Sequence, residues 1–92
     1  MIEPQTRLRQ RDGLLSQRAA DTRILLDPKD GRYYALDEVS GRIWDLCDGT
    51  RTVAQVVTTL CGEYEAPAET VKEDVMEFLG DLANDGLIVP LP

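Results

Sequence analysis

The acidic side chains are the first candidates in this chain for catalysis or metal binding. Five of them recur at intervals of four toward the C-terminal end: Glu69, Glu73, Glu77, Asp81 and Asp85. In a helix this spacing would place them along one face. They could then form a carboxylate pair, a metal site or a docking surface for a basic partner. The simplest interpretation is a solvated face, since a charge run of this kind usually lies opposite a core stripe.

Other catalytic and metal-binding groups are scarce. The chain has no histidine, which removes the commonest general base and metal ligand. Its two cysteines, Cys47 and Cys61, cannot build an ordinary structural zinc site and are predicted to be free, buried thiols. The hydroxyl groups of serine and threonine have no histidine to activate them. We therefore expect a protein that is not an enzyme and that needs neither a metal nor another cofactor.

Residues 27–31 read Asp-Pro-Lys-Asp-Gly, which has a superficial likeness to a calcium loop. The alternating acids and the distal Glu of such a loop are missing. Pro and Gly at these positions instead favour a tight turn. Because apolar or aromatic runs flank the turn at 24–27 and 33–36, a β-hairpin is predicted.

Charge is unevenly distributed along the chain. The net charge is −7, but residues 1–23 carry five arginines against three acids, which is +2. Residues 24–92 carry five bases against fourteen acids, which is −9. An acidic body repels phosphate backbones, so nucleic acid is not an expected partner. No secretory signal or apolar run long enough for a membrane span is apparent, so a cytoplasmic protein without membrane contact is expected.

Three helices are predicted after the hairpin. The first would be capped by Asp37 or Ser40 and would end at Gly49. Thr52 begins a capping box for the second, and Pro67 suits the first position of the third. Apolar residues at helical spacing support all three helices.

The order of elements predicts one small domain. Residues 1–13 lack a clear period and are interpreted as a flexible N-terminal arm, and residues 14–92 as a single domain. Residues 14–18 are compatible with a short strand, and residues 87–89 form either a final strand or a core plug. The predicted fold is α+β and winged helix-turn-helix-like, with a small antiparallel sheet of two or three strands followed by three helices.

Aromatic side chains concentrate around the predicted hairpin. Tyr33, Tyr34 and Trp44 are three of the five aromatic residues and lie within twelve positions. They could simply pack in the core. Alternatively, the second hairpin strand could line a groove and accept another chain as an added strand. Because neighbouring strand residues face opposite ways, only one of the two tyrosines can face such a ligand, and the sequence does not say which.

Two segments carry a family resemblance. Residues 46–53 (Leu-Cys-Asp-Gly-Thr-Arg-Thr-Val) and 74–79 (Asp-Val-Met-Glu-Phe-Leu), together with the block 25–36, resemble the PqqD family. The resemblance spans roughly residues 7–89. PqqD proteins belong to pyrroloquinoline quinone (PQQ) biosynthesis and are peptide chaperones, also called recognition elements for ribosomally made, modified peptides (RiPP recognition elements).

The resemblance implies a function and a site. PqqD-like domains bind the precursor peptide PqqA and present it to the radical S-adenosylmethionine (SAM) enzyme PqqE, which carries the iron–sulfur chemistry. The leader peptide adds as a strand beside the third helix. Carried onto this chain, the resemblance implies these peptide-binding residues: Arg32, Tyr33, Tyr34, Ala35, Leu36, Val71, Val75, Phe78, Leu79 and Leu82.

Two other function classes stay open at this point. A winged-helix DNA-binding transcription regulator fits the order of elements, although an acidic third helix disfavours it. An enzyme in its own right has the least support. The oligomeric state is also open. The chain could be a monomer or a dimer, and a dimer could form by exchange of the hairpin or the arm between protomers.

Overall fold

The structure is a computed structural model that describes residues 2–91. Six strands and three helices follow one another along the chain. They are β1 (Arg7–Gln10), β2 (Leu15–Ala19), β3 (Thr22–Asp27), β4 (Arg32–Leu36), α1 (Glu38–Leu46), β5 (Asp48–Thr52), α2 (Val53–Glu63), α3 (Ala68–Asn84) and β6 (Ile88–Leu91). Met1 and Pro92, which the sequence assigned to the arm and to the domain, lie outside the described residues. In the part that is described, no helix is long and apolar enough to span a membrane.

The strands form two antiparallel sheets, with the orders β5-β1-β6 and β2-β3-β4. The α+β class is therefore confirmed. One antiparallel sheet of three strands, β2-β3-β4, precedes the helices as expected, but the second sheet was not predicted, so two or three strands is too few for the whole domain. The three additional strands are short, and their partners are distant in sequence. β5 lies between α1 and α2, and its sequence Asp-Gly-Thr-Arg-Thr has no apolar alternation. The tail forms the final strand β6, and it also fills the core, because Leu87 and Ile88 are buried; both alternatives for residues 87–89 therefore hold in part.

The prediction of a flexible arm over residues 1–13 is wrong for the described residues, because they include β1. This strand is the centre of its sheet, and Leu8 is 1% exposed. The preceding residues are also fixed, because the carbonyls of Pro4 and Thr6 accept hydrogen bonds of 2.9 Å from the N–H groups of Ala54 and Val53. These bonds occupy donors at the start of α2 that would otherwise lack partners. The N-terminal residues are thus part of the domain.

The predicted hairpin is confirmed as β3, a turn and β4. Gly31 has φ +74°, a conformation that glycine adopts without strain. Its N–H donates to the carbonyl of Asp27 at 2.9 Å, and the Asp27 carboxylate accepts from the N–H of Lys29 at 3.0 Å. The segment therefore uses its acids for turn geometry, as its Pro-Gly chemistry predicted.

The helix caps follow local signals in most places. Asp37 caps α1 by accepting from the N–H of Ser40 at 2.8 Å, which decides between the two candidates. Thr52 and Gln55 form the predicted capping box of α2. Gly49 does not end α1, which stops at Leu46; it lies in β5 with φ +87°.

One hydrophobic core joins both sheets and all three helices. α1 packs against β3 and β4, while α3 packs against α2 and β6. The buried apolar side chains are Leu8, Leu25, Leu36, Ile43, Trp44, Leu46, Cys47, Val53, Val56, Leu60, Val75, Leu79, Leu82, Leu87 and Ile88. This core fixes β4 and α3 relative to each other through shared neighbours.

Candidate functional site

The outer edge of β4 is open. β4 pairs with β3 on one side and has no strand partner on the other among residues 2–91. In an antiparallel strand, the main-chain groups of alternate residues point away from the paired neighbour. β4 therefore presents free N–H and C=O groups to any extended chain that lies alongside it.

The register assigns the two tyrosines to opposite faces of the sheet. Tyr34 lies opposite the fully buried Leu25, and its half-buried ring packs against the core. Tyr33 lies opposite Leu26 on the outer face and is 73% exposed. Tyr34 thus lies on the helix side of the sheet, and Tyr33 does not.

Four of the predicted peptide-binding residues are core residues. Leu36, Val75, Leu79 and Leu82 are between 0% and 7% exposed. Their side chains hold β4 and α3 on the common core and have almost no surface left for a ligand. Their role in any binding site is therefore support.

Val71 and Phe78 are the predicted α3 residues that keep accessible surface. Both are half-buried and pack against the edge of the core. Met76 lies on the opposite flank, where it lines a groove with Val57 of α2. Because successive helical residues are about 100° apart, Phe78 lies about 160° around α3 from Met76 and so points away from α2.

The five acids of α3 and its C-terminal end are all exposed, as both a solvated face and a docking surface for a basic partner require. They do not form a single row. A spacing of four advances about 40° around a helix each time, so Glu69 and Asp85 end about 160° apart. Asp74 and Asp81 lie next to Phe78 on its solvent side, which gives this flank an apolar base and an acidic rim.

An arginine that the sequence analysis missed fastens the hairpin to α1. The guanidinium of Arg23 donates to both carboxylate oxygens of Asp45, with an Nη2–Oδ2 distance of 2.8 Å, and lies 5.9 Å from the centre of the Trp44 ring. A methyl group on the buried Gly41 would come within 3.2 Å of Arg23 Cβ, so glycine permits this close approach. The partners are more than twenty residues apart in sequence, and no local pattern indicates them.

A second ion pair joins the two sheets. Arg11 Nη2 lies 2.5 Å from Asp27 Oδ2, and Asp27 is only 6% exposed. The hydrogen bond from Arg11 lowers the pKa of the Asp27 carboxyl from its ordinary value. The turn between β3 and β4 is thereby tied to the sheet that contains β6.

Sequence comparison identifies the family. The family model described as coenzyme PQQ synthesis protein D (PqqD) matches residues 22–88. The chain belongs to the PqqD family. A curated relative from Bradyrhizobium diazoefficiens, named PqqA binding protein, is 37% identical over 65 residues, which are 71% of this chain and 61% of the relative. A protein of the same name from Rhodopseudomonas palustris (strain CGA009) is 38% identical over 71 residues, covering 74% and 68%. The chain therefore spans only about three fifths of the length of some curated relatives.

Solved structures share the fold. TbiB1 in complex with the TbiA(beta) leader peptide is 34% identical, with a TM-score of 0.79, and the match covers 87% of this chain and 93% of TbiB1. The PqqD truncation of Methylobacterium extorquens PqqCD, a RiPP recognition element, has a TM-score of 0.77 at 23% identity, covering 97% and 95%. This chain thus shares its fold with TbiB1 and with the PqqD truncation of PqqCD.

The thiols of this PqqD-family chain differ in their surroundings. Cys47 is 1% exposed, and burial raises the pKa of its thiol to about 12. It is therefore protonated at neutral pH, and a protonated thiol is a poor nucleophile and metal ligand. Cys61 is partly exposed on α2, so the prediction of two buried thiols is correct for Cys47 only.

Proposed function

We propose that this chain is a non-catalytic peptide chaperone of PQQ biosynthesis. It binds the precursor peptide PqqA as an added strand along β4 and presents it to the radical SAM enzyme PqqE. The open outer edge of β4, on a sheet held rigidly by the core, is the observation that carries this proposal. Membership of the PqqD family and the name of the curated relatives, PqqA binding protein, support it.

The proposed binding site lies between β4 and the flank of α3 that points away from α2. Main-chain hydrogen bonds to Arg32–Leu36 supply affinity that does not depend on the peptide sequence. Tyr34, Val71 and Phe78 supply contacts with alternate side chains of the peptide. The buried Leu36, Val75, Leu79 and Leu82 keep the strand and the helix at a fixed separation, which limits the ordering cost of binding.

The proposal also includes a winged helix-turn-helix-like architecture and a cytoplasmic location. The hairpin β3–β4 and the three helices constitute a winged helix-turn-helix-like unit, used here for a peptide. DNA binding is not favoured, because α3 exposes five acids. The redox chemistry belongs to PqqE, and the chain acts beside it in the cytoplasm.

Calorimetric titration with synthetic PqqA tests the proposal. The wild-type protein should bind saturably, and Phe78→Ser should weaken binding by about tenfold or more, because a lost aromatic contact is worth about 1.5 kcal/mol or more. Met76→Ser is the matched control: it changes a half-buried apolar residue on the other flank of α3 and should alter affinity by less than about twofold. Circular dichroism verifies that both variants are folded. No saturable binding of PqqA to the wild-type protein at micromolar concentrations would refute the proposal.

A further inference from the structure

The outer face of the β2-β3-β4 sheet carries no charge. The strand registers place Leu15, Leu26 and Tyr33 side by side across the three strands, and Gln17, Ile24 and Ala35 form the next row. In all, eight side chains share this face: Leu15, Gln17, Ala19, Thr22, Ile24, Leu26, Tyr33 and Ala35. In a chain of which 29% is charged, a wholly uncharged sheet face is a distinct surface. We call it the outer face.

The centre of the outer face is apolar and open. Leu15 is 56% exposed and Tyr33 is 73% exposed. Together with Ile24 and Leu26 they line a shallow depression of about 430 Å³. Single exposed apolar residues are common, but a continuous apolar row across a sheet is typical of a protein interface.

A second copy of the chain is a poor occupant of the outer face. Three strands about 4.8 Å apart and five residues long at about 3.4 Å each offer roughly 240 Å² of flat area. A stable interface needs about 800 Å² per partner. Two copies would also bring two net charges of −7 together. The small area limits any partner to a transient contact, and the charge repulsion specifically disfavours a second copy. The outer face therefore suits a transient contact with a different protein that offers an uncharged, apolar surface.

The outer face adjoins the open edge of β4, because β4 belongs to the same sheet. A peptide added to β4 lies in the plane of the sheet, so it leaves the outer face free and extends it by one strand. Alternate side chains of the peptide would then point to the same side as Tyr33 and Ala35. A protein docked on the outer face would directly contact those side chains.

We propose that the outer face is the docking surface for the enzyme that modifies the captured peptide, and that the contact is apolar. This inference rests on the proposed function for the identity of the enzyme, PqqE. Docking and peptide capture use different parts of one sheet, so both can occur at once. The docked enzyme then contacts the peptide strand at the edge of the outer face.

Three neighbouring aspartate substitutions on β2 test the inference. Leu15→Asp and Gln17→Asp place a charge on the outer face, whereas Ser16→Asp places the same charge on the opposite face, where Ser16 pairs with the buried Leu25. The affinity of each variant for purified PqqE is measured with and without PqqA. We expect a loss of about tenfold or more for Leu15→Asp and Gln17→Asp and less than about twofold for Ser16→Asp. Raising the salt concentration should change the wild-type affinity little, because no charges contribute.

Several outcomes would overturn the inference. These are an equal loss in all three variants, no loss in Leu15→Asp, no measurable affinity of the wild-type protein for PqqE, or a wild-type dimer that Leu15→Asp dissociates in sedimentation. A parallel titration with PqqA separates the two proposals. All three variants should bind PqqA like the wild type, since β2 is distant from the edge of β4. Failure of the wild-type protein to bind PqqA refutes the proposed function. The docking surface is refuted instead if Leu15→Asp and Gln17→Asp do not weaken PqqE binding more than Ser16→Asp does.

Discussion

Replacing Leu8 with alanine should strongly destabilise the domain. Leu8 is 1% exposed at the centre of the β5-β1-β6 sheet, inside the segment that the sequence suggested was a flexible arm. Leu→Ala in a packed core removes transfer free energy and leaves a cavity, at a cost of about 2–5 kcal/mol. In a domain of this size each kcal/mol lowers Tm by about 4–8 °C. A fall of at least about 8 °C is therefore expected, measured by circular dichroism together with urea unfolding.

Leu15→Ala is the matched control for this prediction. It removes the same atoms from a strand residue that is 56% exposed, so its cost should stay within about 0.5 kcal/mol. A similarly small effect for Leu8→Ala would show that β1 does not pack as described, and the account of the N-terminal residues would be refuted.

Three further substitutions or treatments test other contacts. Because the pKa of Asp27 is lowered below its ordinary value of 3.8, its ion pair with Arg11 stabilises the fold above that pH and is lost as the pH falls. Urea midpoints of Asp27→Asn should therefore decline less than those of the wild type on acidification below about pH 4. Gly49→Ala should cost about 1–2 kcal/mol in urea unfolding, since φ is +87° and the nearest side-chain atom would be in ordinary contact at 3.5 Å. Alkylation of the native protein, followed by mass spectrometry, should label Cys61 and leave Cys47 unlabelled until the chain unfolds.

Much of the fold follows from signals that are local in sequence. The Pro-Gly turn at 27–31 predicts the hairpin, and Thr52 with Gln55 predicts the start of α2. The apolar stripe of α3 predicts which of its sides is buried. Each of these features depends on residues that lie within a few positions of one another, which is why a single sequence suffices for them.

The sheet around β1 depends on pairing between distant segments. β1 contacts β5 and β6, about 40 and 80 residues further along the chain. Its one buried side chain, Leu8, lies between two arginines, so no alternating pattern indicates a strand. The contact of Arg23 with Asp45 and Trp44 likewise cannot be predicted from local sequence, because it depends on how the hairpin packs against α1.

In the candidate site, too, some features follow from local sequence and others depend on contacts between distant residues. The aromatic strand and the acidic third helix could be predicted as elements, and the family resemblance indicated β4 and α3 as the site. Only the register shows that Tyr34 faces the helix side while Tyr33 faces outward. Only the packing shows that Val75, Leu79 and Leu82 are buried in the core, whereas Phe78 keeps accessible surface.

Amide hydrogen exchange during titration with PqqA tests the central claim most directly. If the peptide adds as a strand, the alternate N–H groups of β4 that point away from β3 should become protected, because each gains a main-chain acceptor. The amides of β2, at the other edge of the same sheet, should be unchanged and serve as an internal control. Saturable binding of PqqA that leaves the β4 amides as exposed as before, or that protects β2 instead, would contradict the account.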